Sequence, residues 1–380
     1  MNSSNSSLVS QSLPNSTSEM VVATIPILVC KTVASALVMI ASLFGNMLVI
    51  CVVLQSFRMR TVTNYLIVNM ACADMLYTIV AMPPLFVMIF QGYNWAMGNR
   101  GRGIFFCQVV NFAQYLLVAV SVLTLAAIAF DRFFAIMMPL KRIINKRVFN
   151  WILLVIWVIS TAVATPLLYS LRVIEINGDL SCEENWAPAF DNETAPKVYT
   201  ILLFSVVFCF PLCIITVLYA IICRHLWFTK PPGEREREES KNLIKRRNSR
   251  KKVVRMLITV VVVFLISWLP LQIANFLYFF QNVEISEPIY FTCEFLMRAS
   301  CALNPAVYVI FSENYRQGFK KLLAKCCCYK LSGGIPHRGS SSSSRQQTVP
   351  TLLRSDHGLS KRSCSKKGYQ EAGSEDEHQF

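Results

Sequence analysis

Seven long apolar stretches dominate this sequence, at approximately residues 25–54, 62–90, 104–137, 148–170, 198–226, 253–280 and 288–311. Each holds about 20 apolar residues, which as a helix is enough to cross a bilayer. Inside a bilayer the backbone N–H and C=O groups must be satisfied within the segment, and a helix does this. Pro83, Pro84, Pro166, Pro211, Pro270 and Pro305 would break soluble helices, but membrane helices tolerate and kink at proline. Only 16% of the 380 residues are charged and 54% are hydrophobic. A soluble domain carries about 25% charged residues, so the composition argues against an ordinary soluble enzyme and against a disordered chain. The expected fold is an all-α membrane protein, a seven-transmembrane helix bundle, with a short amphipathic eighth helix and disordered termini.

Charge is distributed unevenly along the chain. Arg58 and Arg60 follow the first run, and Lys141, Arg142, Lys146 and Arg147 follow the third. Segment 224–255 holds twelve Lys and Arg against four Glu, a net of +8. Segment 166–197 holds Arg172 and Lys197 against six acids, a net of −4. Positive loops stay on the cytoplasmic side. The tripeptides beginning at Asn2, Asn5, Asn15 and Asn192 are N-glycosylation acceptors, all on the opposite side. Both signals predict a multi-pass plasma-membrane protein with its amino terminus outside and its carboxyl terminus inside. The first 24 residues lack the pattern of a cleaved signal peptide, so the first span is expected to act as its own insertion signal. The net charge of +15 then reflects attraction to lipid headgroups and does not call for nucleic acid.

The expected organisation is a glycosylated extracellular segment 1–24 and a seven-span domain 25–311. An amphipathic helix 312–328 and a disordered cytoplasmic tail 329–380 follow. Phe319-Lys320-Lys321-Leu322-Leu323 leads into Cys326, Cys327 and Cys328, a setting for palmitoylation at the inner leaflet. Of the 14 cysteines, eight lie singly in apolar runs, and only Cys107 and Cys182 fall in candidate extracellular segments. The four histidines, at 225, 337, 357 and 380, form no mid-membrane cluster for a metal, which argues against a membrane metalloenzyme. No repeated halves or midplane breaks of a transporter are visible. Arg246-Arg247-Asn248-Ser249 fits a basic-directed kinase, and serines 340–344, 363 and 365 are accessible to kinases in the tail.

Ionisable groups inside a span cost free energy and mark function by default. Asp74 lies in span two, Asp131 and Arg132 close span three, and Glu294 and Arg298 lie in span seven. The last two are spaced to pair on one helix face, which does not exclude a ligand role. Asn46, Ser121, Ser300 and Asn304 can accompany Asp74. Such a set either fixes helix packing or holds a proton or a hydrated Na⁺.

The motifs resemble those of class A (rhodopsin-like) G-protein-coupled receptors. Gly45-Asn46 with Val49 stands in span one and Asn69-Met-Ala-Cys-Ala-Asp74 in span two. Trp95 precedes Cys107, Asp131-Arg132-Phe133 ends span three, and Trp157 marks span four. Pro211 and Tyr219 lie in span five and Phe264-Leu-Ile-Ser-Trp268-Leu-Pro270 in span six. Asn304-Pro305-Ala-Val-Tyr308, followed by Phe311, lies in span seven. The family usually has Tyr where this chain has Phe133.

The resemblance implies a disulfide between Cys107 and Cys182 and an allosteric Na⁺ near Asp74. It implies a resting clasp of Asp131 on Arg132. On activation Arg132 turns towards Tyr219 and Tyr308, with Trp268 above the Pro270 kink as pivot. The implied partners are a heterotrimeric G protein, with receptor kinases and arrestin at the tail. Arg298 stands where opsins carry the retinal lysine, and Gln114 where amine receptors carry an aspartate. Both departures argue against those ligands. Gln114 and a long acidic outer hairpin with an Asn177-Gly178 turn resemble receptors for RFamide peptides, neuropeptide FF, neuropeptide Y and orexin. The expected ligand is an amidated neuropeptide contacting Gln114, Asn275, Glu294 and Arg298. A lipid or small organic ligand is the alternative.

Overall fold

The computed structural model describes residues 16–91, 100–139, 144–176, 179–228 and 237–331. Asn2, Asn5, Asn15, Trp95, Asn177, Gly178 and the tail beyond 331 lie outside them. The helices are α1 (Ser16–Gln55), α2 (Val62–Gln91), α3 (Arg100–Met137) and α4 (Lys146–Ser170). After a hairpin of β1 (Leu171–Ile176) and β2 (Asp179–Glu184) come α5 (Thr194–Phe228), α6 (Arg237–Gln281), α7 (Glu287–Phe311) and α8 (Glu313–Leu331). Among the described residues, α1 to α6 are each long and apolar enough to cross a membrane. α7 qualifies together with the first part of α8, Glu313–Ala324, which turns from it by 105°. Glu294, Arg298, Ser300 and Asn304 lower the apolarity of α7, and these are the residues that set it apart.

Helix ends do not coincide with the ends of the apolar runs. α6 begins at Arg237, well before its run at 253, because backbone hydrogen bonding propagates through the basic segment regardless of the lipid boundary. Local chemistry sets other ends. The Asn145 side chain accepts from Val148 N–H at 3.0 Å and caps α4. Asn282, at φ 51°, ends α6 in the left-handed region. Asp191 accepts from the N–H of Glu193 (3.1 Å) and Thr194 (2.8 Å) at the start of α5. Hydrogen bonds from the side chain and backbone of Thr194 hold the Asp191 carboxyl below its ordinary range.

The bundle is apolar outside as well as inside. Leu37, Ile40, Trp151, Val158, Phe210 and Ile266 are exposed, as lipid-facing residues are. Lipid is as apolar as leucine, so the interior cannot be held by a hydrophobic gradient; close packing and hydrogen bonds must do it. α3 is the most buried of the spans. A Cβ on Gly45 would stand 2.9 Å from Pro305 Cβ, so α1 and α7 approach closely there. A Cβ on Gly318 would stand 2.5 Å from Val52 Cγ1, which seats α8 against α1. Cys326, Cys327 and Cys328 fall within α8.

Candidate functional site

At the hairpin end of the bundle, Cys107 and Cys182 are joined, with Cα atoms 5.5 Å apart. In the hairpin Val173 pairs with Cys182, so the bond ties the lid to α3. A π-helical turn, Phe105–Val110, carries Cys107. Gln108 Nε2 donates to Leu171 O at 2.8 Å and adds a second tie. Behind the hairpin Trp186 packs on Leu167 and Tyr199. Asn192 is exposed; its Oδ1 accepts from the N–H of Trp186 (2.6 Å) and Ala187 (3.1 Å).

On α7, Arg298 Nη1 lies 3.0 Å from Glu294 Oε2. The spacing expected from sequence therefore makes a pair. The pair is incomplete, however. Arg298 is only 6% exposed, and among the described residues its Nε has no hydrogen-bond partner. The Glu294 carboxylate faces Nη1, and Nε keeps an unused donor direction. Tyr77 of α2 and Tyr290 of α7 lie within electrostatic reach of the guanidinium. Gln114 and Asn275 are half-buried, and neither is hydrogen-bonded to the pair among the described residues. An unsatisfied buried guanidinium costs free energy, and a partner with both an acceptor and a donor would relieve it.

Deeper in the bundle, Asp74 accepts from Ser121 Oγ at 3.0 Å and from Asn304 Nδ2 at 2.8 Å. Thr78 Oγ1 donates to Asp74 O and meets Ser42 Oγ, each at 2.7 Å. Asn46 Nδ2 reaches Ser42 O (2.9 Å) and Cys301 O (3.0 Å), joining α1 to α7. Trp268 Nε1 donates to Ser300 Oγ at 3.4 Å, so the expected pivot touches this network. A cavity of about 30 Å³ lies among Asp74, Ser121, Trp268, Ser300 and Asn304. That is room for about one or two waters or a small cation, and the oxygens suit a hard ion. Phe264 stacks on Trp268 at 5.3 Å, above the Pro270 position in α6.

At the other end, Arg132 donates to Asp131 Oδ2 through Nη2 (2.7 Å) and Nε (3.2 Å). Thr63 of α2 joins them: its hydroxyl donates to Asp131 and accepts from Arg132. Tyr219 is buried with Arg132 and Asp131 within electrostatic reach. The Tyr308 hydroxyl is buried with no hydrogen-bond partner among the described residues, and its ring stacks on Tyr315 at 5.5 Å. Tyr315 in turn donates to Asn64 Oδ1 at 3.3 Å. Arg132 is thus held by Asp131 and Thr63. Sequence reasoning missed Thr63, Asn64 and Tyr315. A hydroxyl 68 residues from its carboxylate partner leaves no spacing signal.

Comparison with known proteins agrees with this geometry. Residues 45–308 match the family described as 7 transmembrane receptor (rhodopsin family), more than half of the chain. The chain is 33% identical over 312 residues to the RYamide receptor of Drosophila melanogaster, covering 78% of this chain and 65% of that receptor. It is 32% identical over 342 residues to a QRFP-like peptide receptor of Branchiostoma floridae, 86% of this chain and 83% of the other. The substance-P receptor of Aquarana catesbeiana is 31% identical over 298 residues, 78% of this chain and 70% of that one. On the family match and on these relatives, the chain belongs to the rhodopsin family of seven-transmembrane receptors.

Proposed function

We propose that the chain is a G-protein-coupled receptor for an extracellular amidated neuropeptide. The observation that carries this reading is the Glu294–Arg298 pair, nearly buried and short of hydrogen bonds. A terminal carboxamide offers both an N–H donor for the carboxylate and a C=O acceptor for the guanidinium. Relatives named as RYamide and QRFP-like peptide receptors support the ligand class. The disulfide-tied hairpin serves as an open lid, and Gln114 and Asn275 supply further amide contacts. An agonist then acts by binding the active arrangement better than the resting one. The clasp of Arg132 opens, α6 swings about Pro270, and the G protein enters the opened face. Asp74 with Ser121 and Ser300 holds a Na⁺ in the resting bundle. The amino terminus is extracellular and glycosylated, as is Asn192. Cys326, Cys327 and Cys328 are palmitoylated, and receptor kinases and arrestin act at the tail.

The test is a second-messenger screen of cells expressing the chain against amidated peptides, each beside its free acid. Responses to amidated forms alone are expected. Responses only to lipids or small organic compounds would refute the peptide reading.

A further inference from the structure

Phe190 stands in the loop between β2 and α5 with 58% of its surface exposed, beside Trp186, which is only 5% exposed. The turn that carries it is fastened from two sides. Phe190 N–H donates to Trp186 O at 3.0 Å. Tyr169, in the last turn of α4, donates its hydroxyl to the same Trp186 O at 3.1 Å and accepts from Ala189 N–H at 3.2 Å. The Phe190 ring meets Tyr169 edge-on at 6.2 Å and Trp186 at 6.0 Å. On the α5 side Trp186 meets Tyr199 at 5.4 Å. Phe190 is thus held in place while more than half of it stays uncovered by protein.

Its neighbours point to what covers it. Leu168 and Tyr169 at the end of α4, and Val198, Ile201 and Leu202 at the start of α5, are exposed as well. They continue along the helices whose lipid-facing residues include Trp151, Val158 and Phe210. Through Tyr169 the Phe190 ring joins that surface at the level of the last turn of α4. Amphipathic aromatic rings collect at this depth, where headgroups begin. Arg172, two residues beyond α4, adds a cation, its guanidinium 5.0 Å from the centre of the Tyr169 ring. Glu183 is its partner in the hairpin register but accepts from Ser181 Oγ at 3.0 Å. Among the described residues, Arg172 forms no salt bridge. A planar guanidinium at the rim of an apolar surface matches the geometry of a phosphate. Asp191, next to Phe190, is taken up in capping α5.

We propose that Phe190 and Arg172 anchor the lid to the bilayer. The ring seats at the headgroup boundary of the leaflet at the hairpin end, and the guanidinium meets a lipid phosphate. The lid is then held at two points: inside the bundle by the Cys107–Cys182 bond to α3, and at its outer edge by lipid. The occupant is lipid because Phe190 continues a surface that lipid already covers. This anchor goes beyond the receptor reading and does not depend on the ligand.

The experiment uses the full chain in nanodiscs, with 4-fluorophenylalanine placed at position 190 by amber suppression. Fluorine relaxation is measured with nitroxide-labelled phosphatidylcholine, the label near the top of the acyl chain, and separately with an aqueous gadolinium chelate. The same probe at position 210, on the lipid-facing surface of α5, is the reference. At position 190 the lipid label should relax the fluorine several-fold more than the chelate does, as at position 210. Dominance of the chelate would put the ring in water and overturn the anchor. Weak relaxation by both would mean that protein covers the ring, the lid itself or a second copy of the chain, and would overturn it too. Backbone amide exchange over residues 185–193 should quicken several-fold in Phe190→Ser and stay near the wild type in Phe190→Leu, which keeps an apolar group in the leaflet. Equal quickening in both would mean that the aromatic contacts with Tyr169 and Trp186, not lipid, hold the turn.

Discussion

Arg298 lies 3.0 Å from Glu294, one helical turn away on α7, yet its Nε stays buried with no hydrogen-bond partner among the described residues. A pair that served only helix stability would have no reason to sit nearly buried and incomplete, since an exposed i,i+4 pair stabilises by only about 0.3–0.5 kcal/mol at far lower desolvation cost. The first prediction follows. Glu294→Gln and Gln114→Ala should each raise the half-maximal agonist concentration by roughly tenfold or more, with surface expression kept. Losing a charge-assisted contact costs about 1.5–3 kcal/mol. For an agonist carrying arginine, the Glu294 effect should shrink when citrulline replaces that arginine. Equal losses with both peptides would show that Glu294 does not meet the agonist's arginine.

The disulfide makes the second prediction. Cys107 and Cys182 close a loop of 75 residues and, with the Gln108 hydrogen bond, tie the hairpin to α3. Cys107→Ser or Cys182→Ser should abolish surface ligand binding, and loss of such a bond typically costs about 2–5 kcal/mol. The double variant should be no worse than either single one, because one bond is lost in all three. Normal binding by the single variants would remove the lid from the mechanism.

Thr63 carries the third. Its hydroxyl donates to Asp131 and accepts from Arg132, so it braces the clasp from α2. Thr63→Val keeps the shape and removes both bonds. Hydrogen bonds to charged groups contribute about 1.5–3 kcal/mol, and about 1.4 kcal/mol shifts a two-state ratio tenfold. Agonist-free nucleotide exchange on the G protein should therefore rise roughly tenfold, with Thr63→Ser close to the wild type. An unchanged basal rate in Thr63→Val would mean that the Asp131–Arg132 pair alone holds the resting state.

The seven spans were legible because the bilayer imposes a length and an apolarity that composition alone reveals. The paired spacing of Glu294 and Arg298 was legible for a similar reason, since helical periodicity puts the two on one face. Helix ends were less legible: α6 continues into basic sequence to Arg237, where propagation of hydrogen bonds, not lipid, decides. Long-range polar partners were the least legible. Nothing at Asn64 announces Tyr315, 251 residues away, because the hydrogen bond depends on where the turn into α8 sets the ring. Gln114 and Asn275 were singled out by residue type alone, as amides able to contact a ligand, and they are half-buried with no hydrogen bond to Glu294 or Arg298 among the described residues.

The glycine contacts supply the fourth prediction. Alanine in place of glycine inside a helix ordinarily stabilises by about 1 kcal/mol. At Gly318 the new Cβ would meet Val52 Cγ1 at 2.5 Å and Cγ2 at 2.8 Å, and at Gly45 it would meet the Pro305 ring at 2.9 Å and 3.0 Å. Overpacking of this kind costs about 1–3 kcal/mol, enough to outweigh the propensity gain. Both Gly45→Ala and Gly318→Ala should therefore lower the thermal midpoint of the purified chain. The two should differ in rescue. Val52→Ala removes both methyls that crowd position 318, so the Gly318→Ala, Val52→Ala pair should recover most of the loss, a coupling visible in a double-mutant cycle. No trimming of Val52 can help Gly45→Ala, whose neighbour is a rigid ring. If Gly318→Ala were stabilising by itself, α8 would not be seated against α1 through this contact. A shift equal to the sum of the single effects would likewise place Gly318 and Val52 apart.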